Sequence, residues 1–150
     1  MTDYQTILVA VDLSEESGAI IERAHALAGP ESAVHLAYVQ EPMEAVYMGV
    51  VPYGPVFVGM DQVEDRLQAE LKGKLEEWGA KHGVDAANTH FLTGTPAREI
   101  HRFAKEQNVD LIVLGTHGQK GVQLLLGSTA NSVLHGASCD VLAVRMRSED

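Results

Sequence analysis

Apolar positions along the chain repeat in two ways. Four short runs are almost continuously apolar and rich in β-branched residues: TILVAV (6–11), AVHLAYV (33–39), VDLIVLG (109–115) and DVLAVRM (140–146). Runs of that length without polar alternation predict strands buried on both faces. AANTHFLTG (86–94) is more polar and reads as a strand at a sheet edge. Between these runs, apolar residues recur at spacings of three and four, the period of a helix with one buried face.

Ile20, Ile21, Ala24, Leu27 and Ala28 mark a helix from about Glu15 to Ala28, with Ser14 as its N-cap and Gly29-Pro30 as its stop. Val63, Leu67, Leu71, Leu75 and Trp78 mark a second, from Asp61 to about Lys81. Thr95-Pro96 opens a third, to about Gln107, with proline at the first helical position and Ala97, Ile100, Phe103 and Ala104 as its buried stripe. Thr129 to Gly136 forms a short fourth. Residues 41–59, EPMEAVYMGVVPYGPVFVG, are apolar yet punctuated by Gly and Pro. They read as a long crossover loop tucked against the body, or as a cover for a pocket or a partner.

Strands alternating with helices predict an α/β domain: a five-stranded parallel sheet with helices on both faces. Residues 1–150 form one domain, with no internal repeat or linker. Ligands of such sheets sit beyond the carboxyl ends of the strands, where the strand order reverses. Ala10–Asp12 and Gly115–Gly118 are therefore expected to flank one crevice.

Composition removes several function classes. The formal net charge is -10, with no basic cluster, so nucleic acid is a poor partner. An anionic ligand would have to be held locally, by backbone amides. The single cysteine, Cys139, leaves no disulfide framework and no cysteine metal cluster. No stretch approaches the roughly 18 apolar residues of a membrane helix, and the N-terminal run turns polar by Asp12, too early for a signal peptide. A cytoplasmic protein with no membrane partner is expected.

The chemistry concentrates in GTHGQKGVQLLLGSTANSV (115–133), between the fourth strand and the last helix. Glycines let a backbone approach a phosphate, and a helix N-terminus supplies unpaired N–H groups. Ser128 and Thr129 serve equally well as plain N-caps. The loop is not of the Walker type: five residues separate Gly121 from Gly127, and Ser128 stands where a lysine is required. Nor does G-x-G-x-x-G follow the first strand, which continues as VDLSEES.

What the stretch does contain is Gly115-x-x-Gly118 followed by Gly127-Ser128. With ILVAVDLSEES, LAYVQE, VDLIVLGTHG, LLLGSTANSVL and CDVLAVR, it resembles the universal stress protein family over almost the whole chain. The resemblance implies an adenine nucleotide alpha hydrolase-like fold, Rossmann-like in its layers, with strand order 3-2-1-4-5. Nucleotide-binding members carry G-x2-G-x9-G-[S/T], whereas eight residues lie between Gly118 and Gly127 here. Another branch, resembling universal stress protein A, lacks the glycines and holds no ATP.

Matched position by position, the resemblance puts Ala10, Val11 and Asp12 at the adenosine end and the Val39 backbone at adenine. Leu114, Gly115, His117 and Gly118 match the ribose–phosphate turn. Gly127, Ser128, Thr129 and Ala130 match the phosphate-facing helix start. The implied ligand is ATP with Mg²⁺ or Mn²⁺, and Asp12 is the candidate metal contact beside the nucleotide. The implied role is a stress-response regulatory module whose occupancy orders residues 41–59 and 119–126 for unidentified protein partners. The alternatives are a ligand-free interaction dimer and an ATPase or nucleotidyl-transferring enzyme.

Taken singly, these residues also have plainer readings. Asp12 reads otherwise as a helix-entry residue near Ser14, and His117 as an ordinary loop histidine. The remaining histidines show no H-E-x-x-H or paired metal spacing. Ser128 and His117 lack a G-x-S-x-G elbow and an orienting third group, and no base or arginine finger is visible. No catalytic residue is assigned, and any ATP hydrolysis is expected to be slow. Cys139 reads as a small packed residue. The last strand, 140–146, is an apolar edge that a copy of itself would cover, and the family resemblance implies such a homodimer.

Overall fold

The computed structural model describes residues 4–42, 60–116 and 128–145. Strands β1 (Thr6–Ala10), β2 (Ala33–Gln40), β3 (Thr89–Thr93), β4 (Leu111–Gly115) and β5 (Asp140–Val144) form one parallel sheet of order β3-β2-β1-β4-β5. This is the order expected from the resemblance. Helices α1 (Ser17–Leu27), α2 (Met60–Lys81), α3 (Pro96–Glu106) and α4 (Ser128–Gly136) separate the strands.

Period-two alternation explains the two-sided core. Ile7, Val9, Leu111 and Val113 pack on one face with Ile20, Ile21 and Ala24 of α1 and Leu75 of α2. Leu8, Ala37, Ile112 and Leu114 point to the other face, against Ile100, Phe103 and Ala104 of α3 and Ala130 and Val133 of α4. Each Ile, Leu or Val side chain among them, once fully buried, contributes about 1.5–3 kcal/mol. β1 lies at the centre, in register with β2 (Ile7 beside Val34) and with β4 (Ile7 beside Leu111).

The N-terminal ends of the central strands are held by Asp110. Its carboxylate accepts the backbone N–H of Gln5 at 2.8 Å and of Thr6 at 3.0 Å. Tyr4 spans to the sheet's last strand, donating its hydroxyl to Asp140 Oδ2 at 2.8 Å.

Several expected boundaries move. Ser14 does not cap α1: Glu16 holds the N-cap position without a side-chain bond, and Ser14 instead supplies the carbonyl that Ser17 N–H meets at 3.0 Å. Leu13, in the segment between β1 and α1, adopts φ 63°. β3 begins at Thr89, not residue 86, since Ala86–Asn88 form a 3-10 turn. Thr95 sits at the α3 N-cap with Pro96 following as expected, though its hydroxyl makes no capping bond.

The α2 stripe is only half buried. Leu75 is buried and Leu71 and Trp78 pack against the core, whereas Val63 is 53% and Leu67 36% exposed. Leu27 of α1 is also exposed. Of the 41–59 segment only Glu41 and Pro42 belong to the described residues, as do residues 140–145 of the expected last strand. No helix among the described residues is long and apolar enough to cross a membrane.

Candidate functional site

From β1 the chain builds outward through β2 and β3, then returns to place β4 and β5 on the other side. The reversal falls between β1 and β4, and a crevice at their carboxyl ends is the natural ligand position. Ala10 closes β1 there, beside Ala37 of β2 and Leu114 of β4. Gly115 closes β4 beside Val144. Both lips therefore carry small side chains, which leaves room for a ligand to approach the backbone.

Each strand is prolonged by one ladder bond. Val11 N–H donates to the Ala37 carbonyl at 3.0 Å, and Thr116 N–H donates to the Val144 carbonyl at 3.0 Å. Val11 is buried in the core cluster on the α1 side. Asp12 follows it, and Oδ1 accepts the Ser14 N–H at 3.0 Å. That bond holds the carboxylate at the top of β1, which combines the helix-entry reading with a fixed position for the acid.

Tyr38 is a site neighbour that pattern reading did not single out. Burial raises its phenol pKa, and the Asp12 and Glu41 carboxylates raise it further. The phenol thus stays a neutral donor among acids near the strand ends. Its ring leans on Phe91 of β3, centroids 5.6 Å apart. The only local hint is the position of Tyr38, directly before Val39 in an apolar strand; its nearness to Asp12 comes from the β1–β2 pairing.

The remaining candidates divide by side chain. Val39 pairs with Leu92 and is half-buried on the α3 face. Leu114 is buried, and Ala130 turns its methyl into the same core, anchoring α4. Ser128 and Thr129 are exposed at the start of α4. His117, Gly118 and Gly127 lie outside the described residues. Among the described residues no three metal-ligating side chains come together. A separate groove of about 620 Å³, lined by Gly18, Glu22, Trp78, Lys81 and His82 among others, includes none of the strand-end residues.

Comparison with known proteins agrees with this arrangement. Residues 3–145 match the universal stress protein family. Universal stress protein A homolog 2 of Coxiella burnetii is 39% identical over 148 residues, covering 98% of this chain and 99% of its own length. The solved structure of universal stress protein UspA from Lactobacillus plantarum superposes with a TM-score of 0.75 at 26% identity, covering 95% of this chain and 98% of that one. A universal stress protein solved in complex with cAMP shares the fold, with a TM-score of 0.59 at 23% identity, covering 95% and 97% of the two chains. Sheet order and these matches over nearly the full length agree: the chain belongs to the universal stress protein family.

Proposed function

We propose that this protein is a cytoplasmic stress-response regulator that binds an adenine nucleotide, ATP foremost, in the crevice between β1 and β4. The observation that carries the reading is the reversal of strand order between β1 and β4. Small residues, Ala10 and Gly115, end the two strands at the reversal point, and exposed Ser128 and Thr129 open the helix that follows β4. The solved relative in complex with cAMP supports an adenine nucleotide as the ligand class.

In this reading Ala10, Val11 and Asp12 border the adenosine, with the Val39 backbone at the base. Leu114, Gly115, His117 and Gly118 form the ribose–phosphate turn. Gly127, Ser128, Thr129 and Ala130 present the helix start, where unpaired N–H groups favour phosphate. Mg²⁺ or Mn²⁺ would accompany the triphosphate, since such ions are held by one or two carboxylates plus phosphate oxygens and water. In this reading Asp12 supplies the carboxylate. The residues assign no general base, so the role is regulatory binding with at most slow hydrolysis.

A homodimer through residues 140–146 belongs to the same proposal. β5 lies at the sheet edge with Val141, Leu142, Ala143 and Val144 half-buried, and a second copy would cover that edge. The reading also expects protein partners, of which the residues name none.

A second reading is favoured by one observation: only eight residues separate Gly118 from Gly127. It makes the protein a ligand-free interaction dimer of the universal stress protein A type. Heat-denaturing freshly purified protein and analysing the supernatant separates the two. Released adenine nucleotide, or a thermal shift on adding ATP with Mg²⁺, supports binding. Neither signal overturns it and leaves the interaction dimer.

A further inference from the structure

We propose that the His35–His90 pair is an acid-sensitive latch that ties the edge strand β3, and α3 above it, to the rest of the sheet. His35 lies on β2 and His90 on β3. His90 stands beside Ala37, so His35, two residues earlier on β2, faces the same side. His35 Nδ1 and His90 Nε2 are 3.0 Å apart, a hydrogen bond between two imidazoles. Phe103 of α3 covers both rings, edge-on to His35 at 5.5 Å and tilted to His90 at 4.6 Å. Phe103 is itself 6% exposed, within the core cluster on that face.

Such a bond needs one N–H and one lone pair. Two neutral rings supply them. One added proton still leaves a charged donor facing a neutral acceptor. A second removes the acceptor and sets two cations against each other, half-buried under a phenyl ring. The latch therefore opens on acidification.

Other charges do not compensate. Arg98, Arg102, Lys105 and Glu106 of α3 are exposed, and Glu99 and Glu106 are both paired with Arg102. Among the described residues no carboxylate offsets the burial of either ring. Burial lowers the His35 pKa, and burial followed by His35 lowers that of His90. With folded-state values below 6.5, the unfolded chain binds more protons in the window beneath 6.5. Stability from the pair is complete above that pH and falls as the pH drops through it.

The location gives the latch its reach. Among the described strands β3 has a neighbour, β2, on one side only, so this pair adds to a single ladder rather than to two. Leu92 then pairs with Val39, so loosening would travel toward the carboxyl ends of the strands. The device is independent of what the crevice binds.

Amide hydrogen exchange of the whole protein tests it, corrected for the intrinsic pH dependence and referenced to β1. From pH 7.5 to 5.0, exchange across Thr89–Thr93 should rise severalfold relative to β1. His90→Phe keeps a ring against Phe103 and removes the second cation, leaving only the burial of His35 to respond, so its exchange should rise less than that of the native chain. No rise in the native chain, or an equal rise in His90→Phe, overturns the proposal. Should that variant fail to fold, histidine NMR titration of the native chain decides. A coupled pair titrating below 6.5 supports the latch, and two independent rings at 6.5 overturn it.

Discussion

The His101 ring occupies the space that a side chain on Gly136 would need. His101 Nε2 donates to the Val133 carbonyl at 2.9 Å, which pins the imidazole of α3 over the end of α4. A Cβ built at Gly136 would overlap Cε1 of that ring. Gly136→Ala gains at most about 1 kcal/mol of helix propensity, against about 1–3 kcal/mol for overpacking. The urea midpoint should fall. In a His101→Ala background the same substitution should be neutral or stabilising, so a double-mutant cycle reads the contact directly.

Asp110 accepts two backbone N–H groups from the chain entering β1. Hydrogen bonds to a charged group are worth about 1.5–3 kcal/mol each, and stranding partly buried donors adds to the loss. Asp110→Ala is expected to destabilise the protein by at least about 3 kcal/mol. Asp110→Asn, which keeps one acceptor, should lose roughly half of that in the same equilibrium unfolding experiment.

Tyr38 links the site to alkaline pH. Its phenol is raised above 10.0 by burial, then by Asp12 and Glu41. Above pH 10 the unfolded chain loses that proton before the folded one does, so the folded state binds more protons and stability falls as pH rises. Absorbance titration near the phenolate band should place Tyr38 above the free phenol. Asp12→Asn should bring its midpoint only part of the way back, because burial is the larger cause.

For the proposed ligand, Ser128 is the side chain to change. Losing one hydrogen bond to a charged group costs about 1.5–3 kcal/mol, so Ser128→Ala should weaken ATP binding roughly 10- to 100-fold by calorimetry. The stability of the free protein should move by no more than about 1 kcal/mol, the scale of an N-terminal helix residue. Unchanged affinity would remove Ser128 from the site.

The central sheet was legible because burial on both faces leaves a plain signal: Ile7, Leu8 and Val9, and Leu111 through Leu114, are all buried. Of the candidate strand ends, Ala10 and Gly115 follow from that reading, whereas Val39 and Leu114 rest on the family resemblance. The α2 stripe misled because periodicity reports which face is apolar, not how far along the helix the core extends. Val63 and Leu67 share the stripe with Leu75 yet remain exposed. The late start of β3 and the turn at Leu13 reflect local backbone geometry that hydrophobic pattern does not encode. Tyr38 escaped notice for another reason: its effect comes from Asp12 and Glu41, gathered by strand pairing rather than by spacing.

The central place of β1 has a consequence for synthesis. β1, β2 and β3 are complete once Thr93 has been made, yet the second neighbour of β1 ends only at Gly115. At about 5–20 residues per second, the growing chain carries an open, apolar strand edge for roughly one to four seconds. Ribosome-associated chaperones have that interval in which to shield Ile7–Val9, and slowing translation between codons 94 and 115 should increase aggregation of the nascent protein.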